Sequence, residues 1–179
     1  MKTLFINLLL LGYITLSSTL PNAFDANSFI ENYNLQKPSS KSISITNDDL
    51  VSRFLDELEY SKVINKYHPK DLSRKTVKNQ YDSKVKDIIE SFTANDDKFS
   101  FYKAKDKNLL LTMELNKRYM ILDKDIYIGC DKNVFKTRYK TALNSDIIII
   151  EDLEGGNIFS FFFKNNKLVR ASYKCDYLE

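Results

Sequence analysis

The sequence predicts an α+β fold: a mainly antiparallel β-sheet with one longer N-terminal helix and one short helix packed on it. Three observations lead there. Val51, Phe54, Leu55 and Leu58 recur at helical spacing after a capping signal, whereas from Val85 onward the apolar period is mostly two. Ala94-Asn95-Asp96-Asp97 and Lys164-Asn165-Asn166-Lys167 then supply hairpin turns between strand-like runs.

The chain opens with Met1-Lys2, an apolar run from Leu4 to Leu16, and small residues at Ser17-Ser18-Thr19, Ala23 and Ala26. That order is the pattern of a cleavable signal peptide over residues 1–25, and the run is shorter than the ~20 residues a membrane-spanning helix needs. The expectation is export, to a bacterial periplasm or the extracellular space, with no transmembrane anchor after signal cleavage. No cysteine lies near this segment, so attachment through a lipid-bearing cysteine is not expected.

Residues 26–46 contain Pro38-Ser39-Ser40 and little periodicity, and are read as an extended or mobile leading segment with a short strand at Ser42–Ile45. Residues 47–179 are read as a single α+β domain. Thr46 and Asn47 look like an N-cap, and Asp48 and Asp49 place negative charge in a first helical turn. A helix over Asp48–Asn65 follows, closed by His68-Pro69. Residues 70–83 are polar and fit a loop or a short helix.

Strands are then expected at Lys84–Thr93, Lys98–Ala104, Asn108–Leu115, Tyr119–Leu122 and Ile126–Ile128. Asp131 caps a short helix over Lys132–Tyr139 that buries Val134, Phe135 and Tyr139. Asp146–Glu151 and Ile158–Phe163 read as strands separated by an acidic turn. In the last strand, Val169, Ala171, Tyr173, Cys175 and Tyr177 share the inward face by alternation.

Composition limits function more than it reveals it. The net charge is +3 and lysines interleave with Asp and Glu, as in Asp123-Lys124-Asp125, which argues against a phosphate-binding stripe and against nucleic acid as a partner. The lone histidine, His68, stands in a polar connection with no nucleophile motif around it. There is no glycine-rich phosphate loop and no zinc-ligand spacing, so neither a cofactor nor a metal is expected and no residue earns a catalytic role. Cys130 and Cys175 are the two cysteines; in an exported chain they are either a disulfide or two separately buried thiols.

The run Ile126-Tyr127-Ile128-Gly129-Cys130-Asp131-Lys132-Asn133-Val134-Phe135, followed by strands and the Asn-rich turn before Lys167-Leu168-Val169, carries a resemblance. Over roughly the last 55 residues the chain resembles the helix-then-strands module of the SmpA/OmlA outer-membrane assembly lipoproteins and of the β-lactamase inhibitor protein fold. It is also similar to uncharacterised exported proteins of Bacteroides and relatives. It departs from the assembly lipoproteins in lacking their lipid-bearing cysteine, and Tyr139-Lys140-Thr141 stands where Gly-x-Pro often follows the helix. The expected function is that of an exported non-enzymatic protein that binds another protein through a sheet face or edge; the alternatives are an immunity or inhibitor protein against a toxin or enzyme, and an enzyme whose site is assembled from scattered polar residues.

Overall fold

The computed structural model describes residues 42–79, 82, 84–139 and 144–176. The expected signal peptide and residues 26–41 of the leading segment lie outside these. Alternating Ser and Ile in β1 (Ser42–Thr46) direct Ile43 and Ile45 to one face, and the strand joins the sheet in parallel with β8 (Ile147–Glu151), with Thr46 opposite Glu151. Asn47 then caps α1 (Asp48–Glu57), its side-chain oxygen accepting the Leu50 N–H at 2.9 Å.

The single longer N-terminal helix expected over 48–65 is two helices. At Leu58 the N–H turns back to the Phe54 and Leu55 carbonyls, Glu59 is extended, and α2 (Tyr60–Tyr67) starts afresh. The apolar pattern explains the break. A continuous helix burying Val51, Phe54 and Leu58 would next turn Ser61, Lys62 and Asn65 toward the core. Restarting at Tyr60 shifts the phase, so Val63 and Tyr67 are buried and Tyr60 and Ile64 pack against the core instead.

His68 closes α2 in the left-handed region (φ 44°), donating its N–H to the Ile64 carbonyl at 2.9 Å. β2 (Ser73–Lys78) follows where the sequence suggested a loop or short helix. This strand has no apolar alternation because it is one of the sheet's two outermost strands, exposed along almost its whole length, and its conformation comes from pairing with β3 (Lys86–Ala94). β3 (Lys86–Ala94) and β4 (Asp97–Lys103) form a hairpin over Asn95 and Asp96, both at positive φ. β5 (Asn108–Leu115) pairs with β4, and β6 (Ile121–Asp123) with β7 (Ile126–Tyr127) makes a separate small hairpin.

Asp131 accepts the Asn133 N–H at 2.9 Å at the start of α3 (Lys132–Tyr139), which buries Phe135. β8 (Ile147–Glu151), β9 (Asn157–Lys164) and β10 (Lys167–Cys175) complete the sheet. Asn165 and Asn166 both take positive φ in the β9–β10 turn, as a two-residue type I′ turn requires. The strand order is β1-β8-β9-β10-β5-β4-β3-β2, antiparallel throughout except for β1–β8.

All three helices lie on one face. Phe54 of α1 meets Phe159 edge-on at 5.1 Å, Tyr67 of α2 meets Phe99 at 4.9 Å, and Phe135 of α3 meets Phe161 at 4.9 Å. Every described phenylalanine except Phe162 is buried, so the core is an aromatic layer between helices and sheet. The architecture is therefore α+β with a mainly antiparallel sheet.

One inward position of the last strand is corrected. A bulge between Leu168 and Arg170 breaks the alternation, so Leu168 and Ala171 are buried while Val169 is 43 % exposed. Ala171 and Tyr173 point inward as expected, and Tyr177 lies outside the described residues.

Candidate functional site

Cys130 and Cys175 are both free thiols. Cys130 sits beside the start of β10, its carbonyl accepting the Leu168 N–H at 3.0 Å, whereas Cys175 ends the same strand. Seven residues of extended chain separate Leu168 from Cys175, roughly 23 Å at ~3.3 Å per residue, far beyond the ~7 Å limit on Cα separation for a disulfide. The bridge weighed from the sequence is therefore not the one this fold makes. Cys130 is buried, and that burial pushes its thiol above the ordinary value, the opposite of what an activated nucleophile needs.

His68, the other residue the sequence drew attention to, is an exposed helix cap. The acidic turn after β8 is organised around Asp152, whose carboxylate accepts the Gly156 N–H at 2.9 Å, the Asn157 N–H at 3.2 Å and the Asn157 side-chain amide at 2.6 Å. Among the described residues no group of three or more His, Cys, Asp or Glu is placed to hold a metal ion. No helix among them is long and apolar enough to cross a membrane.

Three tyrosine–carboxylate pairs join residues that no sequence motif links, and two of them fasten α2 to the sheet. Tyr60 donates to Glu90 on β3, which is 1 % exposed and also receives Arg74 Nε at 2.7 Å with Lys103 Nζ 3.5 Å away. Burial works against this charge, but the hydrogen bonds from Tyr60 and Arg74 and the two cations outweigh it and hold the carboxyl below its usual range. At the other end of α2, Tyr67 donates to Asp97 at 2.5 Å, and Asp97 also accepts the Asn116 N–H at 2.6 Å and the Lys117 N–H at 3.1 Å. Here burial wins, and the Asp97 carboxyl is pushed above its usual range. The third pair, Tyr102 to Asp87, lies on the far side of the sheet, where Asn79 adds a bond to Asp87 at 2.7 Å.

That far side is the feature best suited to recognition. Among the described residues no helix packs on it, since all three cover the opposite face. The pairing register places Ser91, Ser100 and Thr112 in one rung of this uncovered face, and Ser172 with Ser160 in the next. Together they make a diagonal band of hydroxyls across five strands. Ser100, Ser160 and Ser172 are buried even here. Ile89, Tyr102 and Leu109 form one bank, by the same register. Arg170, stacked 4.0 Å over the Phe162 ring, and Ile147 beside it form the other. Within the band, the Ser91 hydroxyl donates to Ser100 at 3.0 Å.

Such a surface combines a floor of small hydroxyl side chains, three of them buried, with aromatic and guanidinium walls. Tyr and Arg are the side chains that protein interfaces favour, and small hydroxyls permit close approach. Comparison with family models, curated proteins and solved structures finds no match for this chain. The reading of its function rests on its own residues.

Proposed function

We propose that the protein is an exported, non-enzymatic binding protein whose partner is another protein, and that the partner meets the uncovered face of the sheet. The observation that carries this reading is the one-sided architecture. Three helices bury one face, while the other keeps an aromatic and hydroxyl-lined band that a core would not need. The Ser and Thr of its floor and the mixed Ile, Leu, Tyr, Phe and Arg of its banks are neither uniformly charged, as a purely solvated face is, nor uniformly apolar, as a face closed by a second layer is.

The test is a variant carrying Phe162→Ala and Arg170→Ala. These residues form one bank of the band and lie outside the helix-covered core. Full-length wild-type and variant chains are expressed in a bacterial host, located by fractionation, and used as bait after their far-UV circular dichroism has been compared. A specific protein bound by the wild type and lost from an equally folded variant is the expected result. A partner bound equally by both removes this face from the interface, and a product retained in the cytoplasm removes the export reading.

A further inference from the structure

Among the described residues β1 and β2 are the two outer edges of the sheet, and they have opposite chemistry. β2 exposes Arg74, Lys75 and Lys78, and among the described residues Lys75 and Lys78 form no ion pair. β1 carries no charge along Ser42-Ile43-Ser44-Ile45-Thr46, but carboxylates gather at its C-terminal end. Asp48 and Asp49 follow directly in the first turn of α1, Asp48 accepts the Leu153 N–H from the β8–β9 turn at 2.7 Å, and Glu151 lies opposite Thr46 and accepts the Ser44 hydroxyl at 2.6 Å.

We propose that these edges recognise each other between copies of this chain, β2 of one copy adding to β1 of the next. Three features of the fold support the pairing. First, β1 is an edge without the charged residues that ordinarily discourage strand addition, whereas β2 has them. The lysines repel a second β2, and the carboxylates beside β1 attract them, so charge selects the mixed pair over either like pair. Second, β1 and β8 run parallel and every further step across the sheet to β2 is antiparallel, six steps in all through β9, β10, β5, β4 and β3. The two edges therefore point the same way. Copies stacked in the same orientation meet as a parallel pair, with the helix-covered faces continuing on one side. Third, the edges are matched in length at 5 and 6 residues.

The contact is heterologous: the surface given differs from the surface received, so repetition builds an open chain rather than a closed dimer. A single strand pairing is small beside the ~1,000 Å² of a stable interface, so the assembly is weak, concentration-dependent and sensitive to salt. This inference is separate from the binding reading above, which uses the sheet's face.

Sedimentation velocity on the product purified after expression of the full chain tests it, across protein concentrations at low and high ionic strength. The comparison is a variant with Lys75→Glu and Lys78→Glu, two exposed positions outside the core. The wild type is expected to sediment progressively faster with concentration at low salt, an effect reduced severalfold at high salt, while the folded variant stays monomeric alone. Added to wild type, the variant should still be accepted by the wild-type β2 edge and shorten the assemblies, because its β1 edge is intact. A wild type that remains monomeric at low salt overturns the proposal. So does a variant that associates as well as the wild type, which would indicate pairing between like edges or another surface, and so does a variant that leaves the wild-type assemblies unchanged.

Discussion

Replacing Asp97 by alanine should be the most damaging single polar substitution in this fold. Asp97 is fully buried at the first position of β4, where it holds three donors from two other parts of the chain: the Tyr67 hydroxyl of α2 and the Asn116 and Lys117 N–H groups after β5. Alanine removes all three acceptor contacts. Each stranded donor costs about 1–3 kcal/mol, and the two backbone groups near the surface regain part of this from water, so the expected loss is about 3–5 kcal/mol. Against a total stability of about 5–15 kcal/mol for a domain of this kind, that is a large fraction. Urea unfolding followed by circular dichroism measures it as a fall in midpoint at constant m-value. Asp97→Asn separates shape from charge. The amide oxygen can still accept, and burial already disfavours the charge, since the carboxyl is raised: the ionised form opposes folding as pH climbs from the unfolded toward the folded pKa. Asparagine is therefore expected to cost no more than about 1–2 kcal/mol at neutral pH. An alanine variant within 1 kcal/mol of wild type, or an asparagine variant as damaged as alanine, would refute the three-donor account.

Glu90 should behave with the opposite sign. Its folded pKa is lowered, so its contribution is complete above the ordinary glutamate value of about 4.3 and is lost as pH falls through the folded pKa; Glu90→Gln should flatten the acid side of the stability–pH profile measured by thermal unfolding. Asn47→Ala removes the cap of α1 and should cost about 0.5–2 kcal/mol in the same unfolding assay. Phe54→Ala opens a cavity against Phe159 and Phe161 and should cost about 3–5 kcal/mol, read as a lower urea midpoint. Because the two thiols are free and far apart, a reductant should leave the midpoint unchanged, and a thiol reagent should label Cys130 only once the chain is unfolded.

Much of the local structure was legible in the sequence, and the reasons are local ones. Asn47, Asp131 and the Asn165-Asn166 turn act through their own backbone neighbours, so their side-chain chemistry announces them. What escaped depends on distant chain. β2 has no pattern of its own and is a strand because β3 is there to pair with it. The break at Leu58 could be read only by asking where Ser61, Lys62 and Asn65 would point, a question that a simple run of apolar spacings does not raise. Val169 faces outward because of one bulge, and period-two reading fails by one residue beyond any such irregularity. The serine band and the tyrosine–carboxylate pairs are still less visible, since each joins residues from separate strands and helices through a register that sequence alone does not supply.

The parallel partnership of β1 and β8 also sets an order of events. Ser44 and Glu151, which share a hydrogen bond, are 107 residues apart, and every register partner of that first strand is 105 residues away. The antiparallel hairpins of β3–β4 and β9–β10 can close over two-residue turns, so they are available early, whereas β1 must wait until the chain through Glu151 has been made and shaped. The strand nearest the beginning of the described chain is thus placed among the last. In a chain that emerges N-terminus first, through a ribosome or a membrane channel, that delay keeps one edge of the sheet unfinished until nearly all of the rest has arrived.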